Sequence, residues 1–330
     1  MGLSFFSHNN KIVNLVIQDH AIRYVELKQA VPMTVQRWGE YLLPPGLIKD
    51  GRILDRDTLS TILEQCVSEW KIKKRQVRIF VPDPFIVVRK IDVPADVEDD
   101  EIKGYLYMEL GSSIHLPYDE PVFDTAVIGE KDGRKEILLF AAPEDVVGEY
   151  SSLMEACGLV PIAADVSALS LYRLYHALDK SRDHERLLMV ELDVGCMTVS
   201  IFEENRPIFM RHIQLTGSLS FWETSLDGGG SQKLVYDKDP AELEEAVEDI
   251  AKELERIMNF YRYTLHQGQH SVTRILLAGD NPFIPEAFEV MVTRFGLFVD
   301  KIDPETILTA NQAPMPQSYY AALGLALKEV

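Results

Sequence analysis

The stretch that decides the fold is Met189-Val190-Glu191-Leu192-Asp193-Val194-Gly195-Cys196-Met197-Thr198-Val199-Ser200-Ile201-Phe202. Its pattern predicts a buried strand, an Asp-x-Gly turn and a second strand. A glycine turn here would direct backbone N–H groups and the Thr198 hydroxyl at one point, which suits a phosphate group. Asp193 also has a simpler interpretation, since an aspartate before a glycine turn is common turn chemistry. A phosphate loop and an ordinary hairpin turn both remain open at this place.

An incomplete copy of this pattern lies near the start of the chain. It consists of Val13-Asn14-Leu15-Val16-Ile17-Gln18-Asp19-His20-Ala21-Ile22-Arg23. The apolar residues predict two strands joined by a tight turn, but no Asp-x-Gly separates them. The chain therefore has one intact hairpin of this kind in its second half and one eroded hairpin in its first.

The bulk composition limits the class of protein. The chain has 330 residues, enough for two domains with separate cores. Its 33 basic and 52 acidic residues give a net charge of −19, which argues against binding to nucleic acid or anionic lipid, because both need clustered Lys and Arg. Cys66, Cys157 and Cys196 lie far apart, which favours a reducing compartment. No apolar run reaches the roughly 18 residues that span a bilayer, and the first residues lack signal-peptide features.

Strands and helices alternate along the rest of the chain, which predicts an α/β architecture. A long amphipathic helix is expected from an Asp239 N-cap to Leu265. Ser167 is expected to cap a shorter helix that ends at Leu178. The small residues of Ser318–Leu327 predict a final helix that closely approaches a sheet, and the glycines of Ser225–Ser231 predict a mobile loop.

The middle of the chain resembles the PilM family, the actin-like cytoplasmic component of type IV pilus and competence-pilus machines. The most specific match is an arginine-bearing strand that leads to a proline, an acidic helix start, a Glu-rich helix and a bend at a second proline. The matching stretches are Val87–Pro94, Asp99–Ile102, Met108–Leu110, Ile114–Pro117, Phe123–Val127, Leu138–Pro143, Ala156–Leu159 and Ala164–Leu169. This part is similar to domain 1C, a strand-helix-strand-strand insertion shared with the cell-division protein FtsA.

The second half resembles the functional loops of the same family. Asp193–Thr198 matches its second phosphate loop, Pro207–Ile213 the strand that follows, Ile275–Asn281 the adenosine loop and Ala322–Leu327 the closing helix. The resemblance implies an α/β, actin-like (ribonuclease H-like) two-lobed fold with a strand-helix-strand-strand (1C, SHS2-like) insertion. The implied boundaries are 1–43 for the start of lobe 1A, 44–143 for the 1C-type insertion, 144–184 for the remainder of lobe 1A, 185–317 for lobe 2 and 318–330 for the closing helix.

The same resemblance implies a site for ATP with Mg²⁺. Its residues would be Asp193, Gly195, Cys196, Met197, Thr198, Gly279, Asp280 and Asn281.

Three departures predict that this site is partly lost or vestigial. Val16 replaces the family's metal-organising Asp, and Gln18 replaces its turn Gly. Asp280 stands where a second Gly is expected, and its carboxylate would repel an anionic nucleotide. The helix that contacts ribose and base in the family has no clear counterpart between Leu215 and Asp239. We therefore expect the fold to be retained without a complete nucleotide site.

Three functions remain open at this stage. The first is a non-enzymatic cytoplasmic scaffold of a pilus machine, recruited to the inner face of the membrane by partners. In the family, a groove takes the cytoplasmic N-terminus of a PilN-like single-pass membrane protein, and here Val13–Leu27 and Val77–Val93 would form that groove. The pilus motor ATPase is a further partner that the resemblance admits. The second function is an active actin-like ATPase, and the third is an FtsA-like polymerising element, which usually carries a C-terminal membrane helix that is not evident here.

Metal binding and catalysis find little support in the sequence. His266 and His270 have the i, i+4 spacing of helix-borne metal ligands. Gly268 opposes a continuous helix between them, and no third ligand stands nearby, so we interpret both as solvated or as facing the helix dipole. The GxSxG, GxxxxGK[ST] and HExxH motifs are missing. The sequence therefore predicts no metal and no enzyme.

Overall fold

The computed structural model describes residues 12–30, 33–215, 223–226, 232–235 and 240–329. Several predictions fall outside these ranges: those on the start of the chain, on the Asp239 cap and on the glycines at 228–230. Within the ranges, every helix is too short or too polar to span a bilayer.

The first sheet contains the eroded hairpin. Its strands are β1 (Val13–Ile17), β2 (Ala21–Gln29), β3 (Thr34–Leu42), β6 (Gln76–Phe80), β10 (Val160–Asp165) and β18 (Leu308–Thr309), and a small ribbon of β4 (Ile48–Lys49) and β5 (Arg52–Ile53) lies between β3 and β6 in the chain. The order across the sheet is β10-β6-β1-β2-β3-β18. Strands β1, β2 and β3 form an antiparallel meander, and β6 and β10 continue it in parallel to β1. The predicted hairpin near the start of the chain is confirmed.

The second sheet repeats this arrangement. Its strands are β11 (Arg186–Asp193), β12 (Cys196–Glu203), β13 (Arg206–Gln214), β16 (Arg274–Ala278) and β17 (Phe298–Asp300), and a separate hairpin pairs β14 (Glu223–Leu226) with β15 (Gln232–Val235). The order is β13-β12-β11-β16-β17, again an antiparallel meander extended by two parallel strands. The two sheets therefore have the same topology around β1 and β11, the first strands of the two hairpins.

A third, smaller sheet belongs to the middle of the chain. It has the order β7-β9-β8, with β7 (Val87–Pro94), β8 (Pro121–Lys131) and β9 (Arg134–Pro143), and is covered by helix α2 (Ile102–Glu109). The chain order is strand-helix-strand-strand, and Ile102 and Leu106 pack on Val93 and Ile137. We expected the inserted unit to begin at residue 44. Strand β6 instead completes the first sheet beside β1, so the segment with its own sheet and core is narrower, 87–143.

Six more helices of the described ranges form layers around the two larger sheets. They are α1 (Arg56–Glu69), α3 (Glu144–Ala156), α4 (Ser167–Ala177), α5 (Pro240–Asn259), α6 (Ile284–Phe295) and α7 (Tyr320–Ala326). Helices α1 and α3 cover the outer face of the first sheet, and α5 and α6 cover that of the second. Helices α4 and α7 pack between the sheets. A Cβ atom on Gly324 of α7 would lie 1.9 Å from the Ser170 carbonyl oxygen of α4, so the small residues of the last helix permit close packing against a helix as well as a sheet.

The predicted cap at Ser167 is wrong. Val166 occupies the N-cap position of α4, and its side chain makes no capping hydrogen bond. The Ser167 hydroxyl instead donates a hydrogen bond to the Asp83 carboxylate at 2.6 Å. Ser167 is instead the first residue inside the helix, and its hydroxyl makes a charge-assisted hydrogen bond to a residue distant in the chain.

Candidate functional site

A cavity of about 630 Å³ lies between the two lobes. The turn after β1, the segment 80–84 and the turn after β11 form its walls, and the segment 46–54 forms part of its rim. This volume falls in the range of small-molecule sites in proteins. The two hairpins singled out in the sequence therefore face each other across one cavity.

The turn of the intact hairpin has the predicted form. Asp193 pairs with Cys196, and Gly195 between them adopts φ +84°, a conformation that favours glycine. Cys196 lines the cavity, whereas Met197 is fully buried in the core of the second lobe. Met197 is therefore not a site residue, because successive side chains of a strand point to opposite faces.

Thr198 does not present a free hydroxyl to the cavity. Its Oγ1 donates a hydrogen bond to Asp83 Oδ2 at 2.9 Å and lies 3.2 Å from His212 Nδ1. Asp83 also accepts the bond from Ser167 described above. This aspartate follows β6 at the entrance to the third sheet, so it connects that junction to both lobes.

The eroded hairpin fills part of the gap between the two turns. The side-chain amide of Gln18, the residue in place of the turn glycine, donates to Asp193 Oδ2 at 2.8 Å. Its Oε1 accepts a hydrogen bond from Arg23 Nη1 at 2.7 Å. Val16, in place of the metal-organising aspartate, is buried in the core between the sheets. Gln18, which departs from the family pattern, thus makes a contact of its own across the cleft.

Asp280 has partners in both lobes. Its Oδ2 lies 2.6 Å from Arg23 Nη1 and 2.7 Å from His20 Nε2 in the first lobe. Its Oδ1 accepts from the Val194 backbone, and its own N–H donates to Asp193, each at 3.1 Å. Burial alone would raise the pKa of Asp280, but His20, Arg23 and these hydrogen bonds hold it well below its usual range. The carboxylate expected only to repel a ligand is the centre of an ion-pair network between the lobes.

Gly279 and Asn281 hold the loop after β16 against the turn after β11. Gly279 adopts φ +121° and lies against the backbone of Leu192. The Asn281 side-chain amide donates to the Asp193 carbonyl oxygen at 3.0 Å, and its backbone N–H donates to the Leu192 carbonyl oxygen at 3.1 Å. Both residues lie at the predicted site, and both make structural contacts there.

Three carboxyl groups crowd the inner wall of the cavity. Burial, together with the nearby Asp83 carboxylate, raises the pKa of Glu191 to about 8. Burial and the carboxylates of Asp280 and Glu191 raise the pKa of Asp193 well above its usual range, and burial raises that of Asp83. A cation entering the cavity would relieve this repulsion, whereas an anion would add to it.

Because burial raises the pKa of Glu191, the folded protein is expected to lose stability as the pH rises. A neutral side chain at this position would avoid that loss. An unfolded glutamate ionises near pH 4.3, so the folded state, which keeps the proton up to about pH 8, loses stability as the pH rises between these values. Glu191→Gln is therefore expected to raise the free energy of unfolding by at least about 1 kcal/mol at pH 9, and little at pH 5. Urea denaturation at both pH values, with Glu155→Gln on the exposed side of α3 as the control, measures this. An equal effect of Glu191→Gln at both pH values would contradict the assignment.

Two sheets of the same topology, with a cleft between their hairpin turns, define the actin-like ATPase fold. The chain belongs to the family of type IV pilus assembly proteins called PilM, whose sequence model matches residues 15–330.

Solved structures agree with this fold. A PilM–PilN type IV pilus biogenesis complex is similar with a TM-score of 0.76 and 19% identity, over 96% of this chain and 98% of that one. The ethanolamine utilization protein EutJ from Carboxydothermus hydrogenoformans follows with a TM-score of 0.51 and 9% identity, over 96% and 88%. A Bacteroides thetaiotaomicron protein with an actin-like ATPase fold gives 0.50 and 10%, over 99% and 100%. At these identities the likeness concerns the fold.

Sequence reasoning missed three residues of the cleft: Arg23, His20 and Asp83. Arg23 and His20 flank the turn of the first hairpin, and a buried cation there could have suggested an acidic partner in the other lobe. Asp83 lies between two prolines, a position that signals only a break between strands. Asp83 accepts hydrogen bonds from the hydroxyls of Ser167 and Thr198. Both residues are distant in the chain, so no local sequence pattern predicts these contacts.

Proposed function

We propose that this chain is a non-enzymatic scaffold of a type IV pilus machine, and that it binds the cytoplasmic N-terminal segment of a PilN-like single-pass membrane protein. The proposal rests on one observation: side chains of the chain itself bridge the cleft. Gln18 contacts Asp193, and Arg23 contacts Asp280. In an actin-like ATPase the nucleotide takes this place. Membership of the PilM family supports a role in a pilus machine. In this proposal, binding to the membrane protein recruits the chain to the inner face of the membrane.

The residues present do not fit Mg·ATP. Among the described residues that line the cavity, Lys49 is the one Lys or Arg, against the five acidic side chains of Asp19, Asp50, Asp83, Glu191 and Asp193. The Thr198 hydroxyl, which would face a phosphate, already donates to Asp83, and the nearby Val194 N–H donates to Asp280. The volume of the cavity would admit a small ligand, but its donors and charges do not suit a polyphosphate.

The same lining suits an apolar peptide with a positive charge. Segments of membrane proteins on the cytoplasmic side are enriched in Lys and Arg, and the crowded carboxyls would be stabilised by such a cation. Apolar groups of Leu54, Pro82 and Pro84 line the same cavity. Residues 16–20 and 80–84, from the two stretches expected to form the partner's groove, both line this cavity. We place the partner's segment there.

Peptide titration tests this placement. A synthetic peptide of the N-terminal segment of the PilN-like protein from the same organism is expected to bind at micromolar concentration. Leu54 is 60% exposed at the rim, so Leu54→Arg should weaken binding at least about tenfold by repelling the cationic peptide. Val292→Arg is the matched control, because Val292 is an exposed apolar residue on α6, away from the cavity. No binding of the peptide at high micromolar concentration would contradict the scaffold function.

Calorimetry with Mg·ATP separates the scaffold from the alternative, an ATP-dependent switch in the same machine. No heat of binding is expected up to millimolar nucleotide. Micromolar binding that Asp193→Ala abolishes would overturn the proposed loss of the nucleotide site and would favour the switch.

A further inference from the structure

We propose that Glu203, His266 and His270 form a zinc-binding site at the end of the second lobe, away from the cleft. His266 Nε2 lies 3.2 Å from Glu203 Oε1, and His270 Nδ1 lies 3.9 Å from the same oxygen. The three donor atoms all lie within 4.8 Å of one another. This cluster supplies the third ligand that the sequence did not reveal, since Glu203 ends β12 in a distant part of the chain.

The local backbone brings the two histidines to one side. Helix α5 continues as a π-helix over Phe260–Leu265, a form that often marks functional sites, and ends at His266. Gln267 and Gly268 then adopt φ +51° and +85°, which reverses the chain. The two imidazole rings stack with their centroids 4.8 Å apart and their planes 12° from parallel. Gly268 does interrupt the helix, as expected, but the turn it forms brings the rings together rather than apart.

Neighbouring side chains hold the carboxylate of Glu203 in place. The Tyr261 hydroxyl donates a hydrogen bond to Glu203 Oε1, and Arg186 Nε lies 3.9 Å from the same atom. Contacts of this kind hold a ligating carboxylate in one orientation. The Nδ1 atom of His270 is buried and has no hydrogen-bond partner among the described residues, although it faces the carboxylate. That nitrogen is available to a cation.

The chemistry of the three donor atoms indicates which ion they would bind. Two imidazole nitrogens and one carboxylate oxygen suit Zn²⁺, with a fourth, open position for water. In a tetrahedral zinc site the ligand atoms lie about 2.0–2.2 Å from the metal and therefore about 3.4 Å from one another. A ligating imidazole holds the metal in its own ring plane, so the near-parallel stacking of the two rings must open, and at least one ring must turn, for both nitrogens to reach one ion. The bound ion joins the turn after α5 to the end of β12 and stabilises the second lobe.

Zinc titration of tag-free, metal-depleted full-length protein tests the proposal. We expect one Zn²⁺ per chain, a melting temperature raised by more than about 3 °C at saturation, and visible absorption bands typical of four-coordinate Co²⁺ when Co²⁺ replaces Zn²⁺. His270→Ala should weaken zinc binding at least about tenfold. His270 is half-exposed, so this variant is expected to remain folded.

Two controls separate a built site from adventitious binding. Glu204→Gln changes the next residue of the same hairpin turn, and His115→Asn changes an exposed histidine of the third sheet's unit. Both should bind zinc as the unchanged protein does, whereas Glu203→Gln and His266→Ala should behave as His270→Ala. A difference of less than tenfold between His270→Ala and the unchanged protein would overturn the proposal.

Discussion

Replacing Arg23 with methionine is expected to lower the free energy of unfolding by about 3–5 kcal/mol, because the buried carboxylate of Asp280 loses its guanidinium partner. The side chains of Arg23 and Asp280 are 3% and 4% exposed, so water cannot compensate for the lost partner. The Arg23 guanidinium also donates to Gln18 and Glu40, and these bonds are lost with it. Urea denaturation at pH 7 measures the effect.

Arg52→Met is the matched control. Arg52 pairs with Asp145 at 3.2 Å, but the two side chains are 47% and 69% exposed. Exposed pairs contribute about 0–1 kcal/mol, so this variant should lose little. The double variant Arg23→Met/Asp280→Leu should lose less than the sum of its single changes, since it removes both charges together. If Arg23→Met and Arg52→Met lower the free energy of unfolding equally, the buried pair does not stabilise the contact between the lobes.

This ion pair bears on how the protein works. Arg23 belongs to β2 of the first lobe, and Asp280 follows β16 of the second, so their contact bridges the cleft from inside. A nucleotide switch needs a cleft that opens and closes with its ligand. Under the proposed function, the pair instead keeps the lobes in one arrangement and presents a preformed groove to the partner, which lowers the cost of binding.

The sequence predicted the fold well because its signals are local. The strand-turn-strand pattern at Asp193 and the helical spacing of α5 depend on near neighbours, and both are present. The burial of Met197 could also have been predicted, since strand alternation alone places it opposite Cys196 and Thr198.

The contacts that define the site were not predictable in this way. Asp280 was interpreted as a defect of a nucleotide loop, because its partners His20 and Arg23 lie at the other end of the chain. The third ligand beside His266 was missed for the same reason, since Glu203 arrives from another strand. Strand β6 was assigned to the insertion because its pattern does not say which sheet it joins. Charge pairs and sheet membership depend on tertiary structure, which periodicity does not encode.

Replacing Gly279 with alanine is expected to cost more than about 4 kcal/mol, or to prevent folding. The added Cβ would lie 2.0 Å from the Leu192 carbonyl oxygen, and φ is +121°, which side chains rarely adopt. Leu192 cannot move away, because its strand β11 is paired with β16 immediately before this glycine. Urea denaturation, with limited proteolysis if the variant is insoluble, measures the loss.

The control for Gly279→Ala is Gly296→Ala, which separates backbone strain from collision. Gly296 follows α6 at φ +60°, and no described atom lies within 4 Å of its Cβ position, so only the left-handed conformation costs energy, about 1–2 kcal/mol. In the family this loop is the adenosine loop, where glycine allows a nucleotide to approach. If Gly279→Ala loses much more stability than Gly296→Ala, the close approach of Leu192 is enough to explain the glycine, and no nucleotide is needed to explain it. Similar losses for the two variants would remove that explanation and would make close approach of a ligand the remaining reason for glycine at this position.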